Sequence, residues 1–171
     1  AEQDAYAAES VRRAQRASKA GDFVAEIAPV TIKTRKGEQV VATDETPFQL
    51  DIDKIPTLKP AFGKDGSVTA ASSSSISDGA AAIVLAAESA ARAAGLKPLA
   101  RLVSYASHAQ APEWFTTAPA PAMHKAIDRA SWKVADVDLF EINEAFACVA
   151  MAAMQDLGLR HDQVNVNGGA C

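Results

Sequence analysis

The sequence predicts an α/β protein. Two observations carry that prediction. From Ala80 onward, short apolar runs of strand length alternate with helical segments, the pattern of a layered α/β fold. Within "DLFEINEAFACVAMAAMQDLG", residues Phe146, Val149, Ala150, Ala153, Met154 and Leu157 recur at the spacing of one helix face. The opposite side of that helix carries Ala147, Cys148, Met151 and Ala152, so it is apolar almost all round and belongs inside a larger structure. Asn143-Glu144 stands at its entrance, where free backbone N–H groups collect and must find acceptors.

Along the chain, residues 4–20 read as a surface helix packed by Tyr6, Val11, Ala14 and Ala17. Glu9 and Arg13 are spaced to pair across one turn, and Gly21 takes the left-handed stop. "EIAPVTIKTRKGEQVVATDE" gives two β-rich runs around Lys36-Gly37, a hairpin. Residues 46–66, rich in Pro, Asp and Gly, read as a long loop. Asp78-Gly79 marks a turn before a buried strand at 80–87, and Ser89 is placed to cap a short helix ending at Gly95. "LARLVSYAS" is a further strand. Pro119 and Pro121 open a helix that faces inward through Met123, Ala126, Ile127 and Ala130. "VDLFEI" and "VNV" are the strands on either side of the apolar helix.

The 171 residues are 49% hydrophobic and carry a formal charge of −4. No basic block points to nucleic acid, and the apolar helix is too short to span a bilayer, which takes about 20 residues. Two cysteines, Cys148 and Cys171, make no disulfide framework and fit a reducing, cytoplasmic compartment. His108, His124 and His161 lack metal-ligand spacing, so no metal is expected. The chain opens almost inside a helix and stops on "NVNGGAC"; both ends read as cuts through a longer protein. A piece this apolar is expected to expose faces that a whole subunit buries, and so to aggregate in isolation.

Asn143 admits two readings. It is the helix N-cap with Glu144 at the first helical position, or it holds a water or substrate oxygen beside the helix N-terminus. The serines at 72–75 wrap an amide- or phosphate-bearing ligand, or form a tightly packed small-residue loop. Trp114-Phe115 lines a pocket or simply anchors its loop. Neither Cys148 nor Cys171 has a His or Asp placed to activate it as a nucleophile.

"LFEINEAFA", "NVNGGAC", "VTAASSSSISDGAAAIVL" and "EQDAYAAESVRRAQRA", in this order, together resemble the middle of a thiolase of the acetyl-CoA acetyltransferase type. "KPAFGKDGSVTA" and "APEWFTTAPAPA" fit the same stretch. The resemblance implies a partial layered αβαβα thiolase fold: residues 1–75 form part of an inserted CoA-binding loop domain, 76–97 close the N-terminal domain, and 98–171 begin the C-terminal domain.

It further implies an acyltransferase that condenses two acetyl-CoA to acetoacetyl-CoA and CoA, or runs the reverse thiolysis of 3-ketoacyl-CoA. CoA thioesters are substrates, no separate cofactor is needed, and the whole protein is a homodimer or homotetramer. Asn143 would hold the water that donates to the enolate oxygen. Ala145 and Phe146 would line the pocket at the reacting thioester. Ser74, with Ala70 and Phe62, would cradle the pantetheine arm, and Phe115 would cover the same channel.

Two departures stand out. Ala71-Ser72-Ser73-Ser74 replaces the family's Gly-Asn-Ala-Ser, and Pro47-Phe48-Gln49 lacks a basic residue for the CoA diphosphate. The family's acyl-carrying cysteine would lie upstream of Ala1 and its base histidine, in Gly-His-Pro, just after Cys171; the isolated segment is therefore expected to be inactive. The rival reading is a non-catalytic thiolase-like protein that binds CoA or lipid, and a third is an interaction segment without a ligand.

Overall fold

The computed structural model describes residues 2–171; Ala1, the first residue of the predicted loop-domain segment, lies outside them. Helix α1 (Glu2–Ala20) has acidic residues in its first turn and Lys19 in its last, matching the helix dipole. Tyr6, Ala7, Ser10, Val11, Ala14 and Ala17 form its buried face. Gly21, at φ +80°, ends it in the left-handed region, and Arg13 Nε lies 2.9 Å from Glu9 Oε1 as the spacing predicts. Strands β1 (Val30–Thr34) and β2 (Gly37–Val41) form the expected antiparallel hairpin, in register from Val30 opposite Val41 to Thr34 opposite Gly37.

Residues 46–66 are more ordered than a plain loop. Pro47 starts a four-residue helix α2 (Thr46–Gln49), and a 3-10 helix (Ile52–Thr57) follows. Ile55, 1% exposed, anchors that segment against Ala8 and Ala71 beneath α1. Burial of one large aliphatic side chain is enough to fix an otherwise polar stretch.

Beyond the serine run the expected β-structure does not form. Residues 80–87 and 99–107 run without a paired strand, and Val84 is 95% exposed where the sequence predicts a buried strand. An apolar run becomes a strand only when a neighbour takes up its backbone N–H and C=O groups. The short helix α3 (Glu88–Ala93) does form and stops before Gly95 at φ +65°, but Ala87 rather than Ser89 occupies its N-cap position.

The second half is built around α4 (Pro119–Arg129) and α5 (Ala147–Leu157). Met123 and Ile127 of α4 pack against a core of Phe140, Ile142, Ala147, Ala150, Ala153, Leu157 and Val164, joined by Tyr6 from α1. The "VDLFEI" and "VNV" segments meet in a short parallel pairing: Phe140 N–H donates to Gln163 O at 2.8 Å, and Asn165 N–H donates to Phe140 O at 2.9 Å. Gly158, at φ +67°, closes α5.

The expected start of α5 needs correction. The helix begins at Ala147 with Phe146 as N-cap, so Asn143 is not the cap and Glu144 is not its first residue. Both lie on the connection from the Phe140 bridge into the helix.

Candidate functional site

The question at the mouth of α5 is answered by the serine run. Ser72 O accepts the Ala147 N–H at 2.9 Å, Ala145 O accepts the Ser74 N–H at 3.1 Å, and Ser73 bridges Phe146 in antiparallel fashion. The backbone of residues 72–74 therefore lies along the entrance to the helix and takes up the donor that helix geometry leaves free. Small residues suit this close approach. Ser72 is fully buried, and its Oγ accepts the Thr69 N–H at 2.8 Å. Ser73 Oγ donates to Thr69 O at 2.7 Å.

Three phenylalanines gather at the same place. Phe62 meets Phe146 edge-on with centroids 6.0 Å apart, and Phe115 tilts against Phe146 at 6.2 Å. Phe115 sits on a 3-10 helix (Pro112–Thr117), Phe62 on the segment just past the Ile52–Thr57 turn. Phe62 is 72% exposed and Phe115 51%, so the cluster has an open apolar face. Of the residues expected to bind CoA, Ser74, Ala145, Phe146, Phe62 and Phe115 converge on one short stretch. Ala70 is exposed on the tight turn that Ser72 N–H closes onto Thr69 O, two residues before Ser72.

Asn143 is exposed between buried Ile142 and buried Glu144. Both neighbours are held. Asn165 Oδ1 accepts the Ile142 N–H, and Asn165 Nδ2 donates to Ile142 O, each at 2.8 Å, so this side chain stands in for the next strand residue. Asn165 itself adopts φ +47°, a left-handed conformation that asparagine tolerates better than most residues.

Glu144, 1% exposed, is the hub. Its Oε1 accepts from Tyr6 Oη at 2.8 Å and from Asn165 Nδ2 at 2.7 Å. Its Oε2 accepts from Ser10 Oγ at 2.7 Å and from the Cys171 backbone N–H at 3.0 Å. Burial, then the Glu144 charge, drives the Tyr6 hydroxyl pKa far up and pushes the Cys171 thiol to about 12. Glu141 is also raised, by burial and then by Glu144.

Helix α1 is thus more than the solvated surface element that its sequence suggests. Besides Tyr6 and Ser10, its Arg13 Nη1 donates to the carbonyls of Val164 at 2.7 Å and His161 at 3.0 Å, and Arg16 Nη2 donates to Val166 O at 2.6 Å. The available signal was Ser10 itself, a hydroxyl on the otherwise apolar stripe of Tyr6, Ala14 and Ala17. The histidines stay apart: His108 contacts Gln110, His124 pairs with Asp156, and His161 stacks on Tyr6 at 4.8 Å. No group of three or more metal-ligating side chains occurs among the described residues.

Family models for the thiolase N-terminal domain and the thiolase C-terminal domain match residues 1–89 and 96–171. The chain belongs to the thiolase family. It is 48% identical over 171 residues to the acetyl-CoA acetyltransferase of Paracoccus denitrificans, covering 99% of this chain and 44% of that protein. It is 49% identical to a probable acetyl-CoA acetyltransferase of Dictyostelium discoideum, covering 99% of this chain and 41% of that one. The crystal structure of the Bacillus anthracis acetyl-CoA acetyltransferase superposes with a TM-score of 0.94 at 44% identity, over 99% of this chain and 43% of the other. That of human mitochondrial 3-ketoacyl-CoA thiolase gives 0.92 at 40% identity, over the same shares. The fold is a part of the α/β thiolase fold, and the chain spans less than half the length of these relatives.

Proposed function

We propose that the whole protein is an acetyl-CoA C-acetyltransferase, joining two acetyl-CoA or cleaving 3-ketoacyl-CoA with CoA. The observation that carries this reading is the seating of the serine run on residues 145–147. It gathers Ser74, Ala145 and three phenylalanines beside the connection that bears Asn143. An open apolar face of phenylalanines beside exposed backbone polar groups suits a pantetheine arm.

In the condensing direction, a cysteine thiol elsewhere in the subunit takes acetyl from the first acetyl-CoA and releases CoA. A second acetyl-CoA then loses its α-proton to a base. The enolate carbon attacks the enzyme thioester, forming the carbon–carbon bond as the cysteine leaves. Asn143 serves the step in which charge gathers on the enolate oxygen, through a water it holds. A fixed donor at such an oxygen contributes about 3–4 kcal/mol to lowering the barrier. Ala145 and Phe146 border the reacting thioester, while Ser74, Ala70, Phe62 and Phe115 guide the arm. We place the protein in the cytoplasm as a homo-oligomer, the two free cysteines being compatible with a reducing compartment.

The test is acetoacetyl-CoA thiolysis by the full-length protein and by its Asn143→Ala variant. Turnover in the wild type, with kcat reduced about a hundredfold or more in the variant, supports the assignment. CoA binding without turnover in the wild type transfers the protein to the non-catalytic binders.

A further inference from the structure

We propose that Glu144 is a positioning residue for this reaction: its buried carboxylate, gripped by four donors from two segments, helix α1 and the 165–171 stretch, fixes the backbone that presents Asn143 against both. The inference rests on the acyl-transfer reading above and deepens it.

The donor pattern is selective for a carboxylate. Each oxygen takes one hydroxyl donor, Tyr6 or Ser10, and one N–H donor, Asn165 Nδ2 or the Cys171 amide. A hydroxyl can turn round and accept; an N–H cannot. An amide of the same shape would therefore aim its NH₂ at an obligate donor whichever way it faced. Only a group that accepts on both sides satisfies the set.

The surroundings are shaped to this carboxylate. A Cβ on Gly169 would lie 2.5 Å from Oε2 and 2.6 Å from Oε1, so any side chain there evicts Glu144. A Cβ on Gly168 would lie 2.6 Å from Ala14 N and from Ser10 O, so the turn after Asn165 approaches α1 as bare backbone. Gly169 N–H also donates to Ser10 Oγ at 2.9 Å, and Ser10 Oγ in turn donates to Glu144 Oε2 at 2.7 Å. The two glycines, the serine and the carboxylate thus form one fitted unit.

All four donors are neutral. A buried carboxylate so held gives little stability in return for its desolvation, and an apolar cluster would serve a purely structural purpose at least as well. What the carboxylate supplies is position. Ile142 is locked by Asn165 on one side of Asn143 and Glu144 by its four donors on the other, so the amide projects from a backbone fixed at both ends. Misplacement of such a group by about an ångström costs on the order of a hundredfold in rate.

The experiment is a double-mutant cycle in the full-length protein, read by thiolysis of acetoacetyl-CoA. Glu144→Gln is expected to lower kcat about a hundredfold with KM for CoA within about threefold. Joined to Asn143→Ala, it should slow the enzyme by no more than about threefold beyond the worse single variant, because both changes remove the same contribution. Ser10→Ala keeps the carboxylate and withdraws one donor; a kcat loss of about fivefold is expected at unchanged KM. Glu144→Gln with kcat within threefold of wild type, losses that multiply in the double variant, or a Ser10→Ala that only lowers the melting temperature each overturns the inference. A wild type without turnover overturns the acyl-transfer reading as well; an active wild type with an indifferent Glu144→Gln overturns this inference alone.

Discussion

Residues 80–107 and residues 137–171 have similar apolar patterns and opposite fates. In the later segment, Phe140 pairs with the backbone of Gln163 and Asn165, and Ile142 is bonded at both N–H and C=O by one asparagine side chain. In the earlier one, Ile83, Val84, Leu85 and Leu102 point into solvent, and no strand partner appears among the described residues. The difference lies not in hydrophobicity but in whether a complementary backbone is within reach. Burial of apolar side chains follows pairing of the peptide groups, because an unpaired peptide buried away from water costs more than its side chain gains.

The sharpest way to break this contrast is amide hydrogen exchange on the 171-residue chain. Amides of Phe140, Ala147 and Asn165 are expected to exchange at least about a thousandfold more slowly than those of residues 80–87 and 99–107. Equal protection in the two regions would mean that the early segment finds a partner after all.

Matched truncations give the next largest effect. Ile142→Ala removes a side chain only 6% exposed and is expected to cost about 2–5 kcal/mol of unfolding free energy. Leu85→Ala, at a site 72% exposed, should stay within about 0.5 kcal/mol, both read by denaturant unfolding.

The smallest effect concerns pH. Burial, then the nearby Arg13 charge, holds the His161 pKa below its ordinary value. The unfolded chain then binds the proton more readily than the folded one, so stability is retained above the ordinary histidine range and falls as pH drops through it. His161→Gln should flatten the melting temperature between pH 7.5 and 5.5. Glu9, lowered chiefly by its hydrogen bond to Arg13, acts only at more acidic pH.

How much could be read beforehand divides along the same line. Features fixed by local chemistry were legible. The dipole-matched α1 with its glycine stop, the hairpin at Lys36-Gly37, the Pro-led α4 and the apolar α5 each follow from a few neighbouring residues. The convergence of Phe62, Phe115 and Phe146 was anticipated only through family likeness, since nothing local ties residue 62 to residue 146. The reading that sets Glu144 at the helix start fails because its partners, Tyr6, Ser10 and Asn165, come from far along the chain. A polar residue beside an apolar run signals that something must satisfy it, but the identity of the partners is a property of the folded chain. The strands at 80–87 and 99–107 failed for the same reason: a strand is half of a pair, and its other half is not written next to it.

The bond from Gly169 to Ser10 links residues 159 positions apart, and that from Tyr6 to Glu144 spans 138. Translation runs from the amino end, so α1 leaves the ribosome long before the carboxylate it is built to hold. Until then Tyr6 and Ser10 lack their carboxylate partner, and closing so large a loop is slow compared with forming a helix. The inner face of α1 is therefore completed only once the stretch bearing Glu144 and Gly169 has been made.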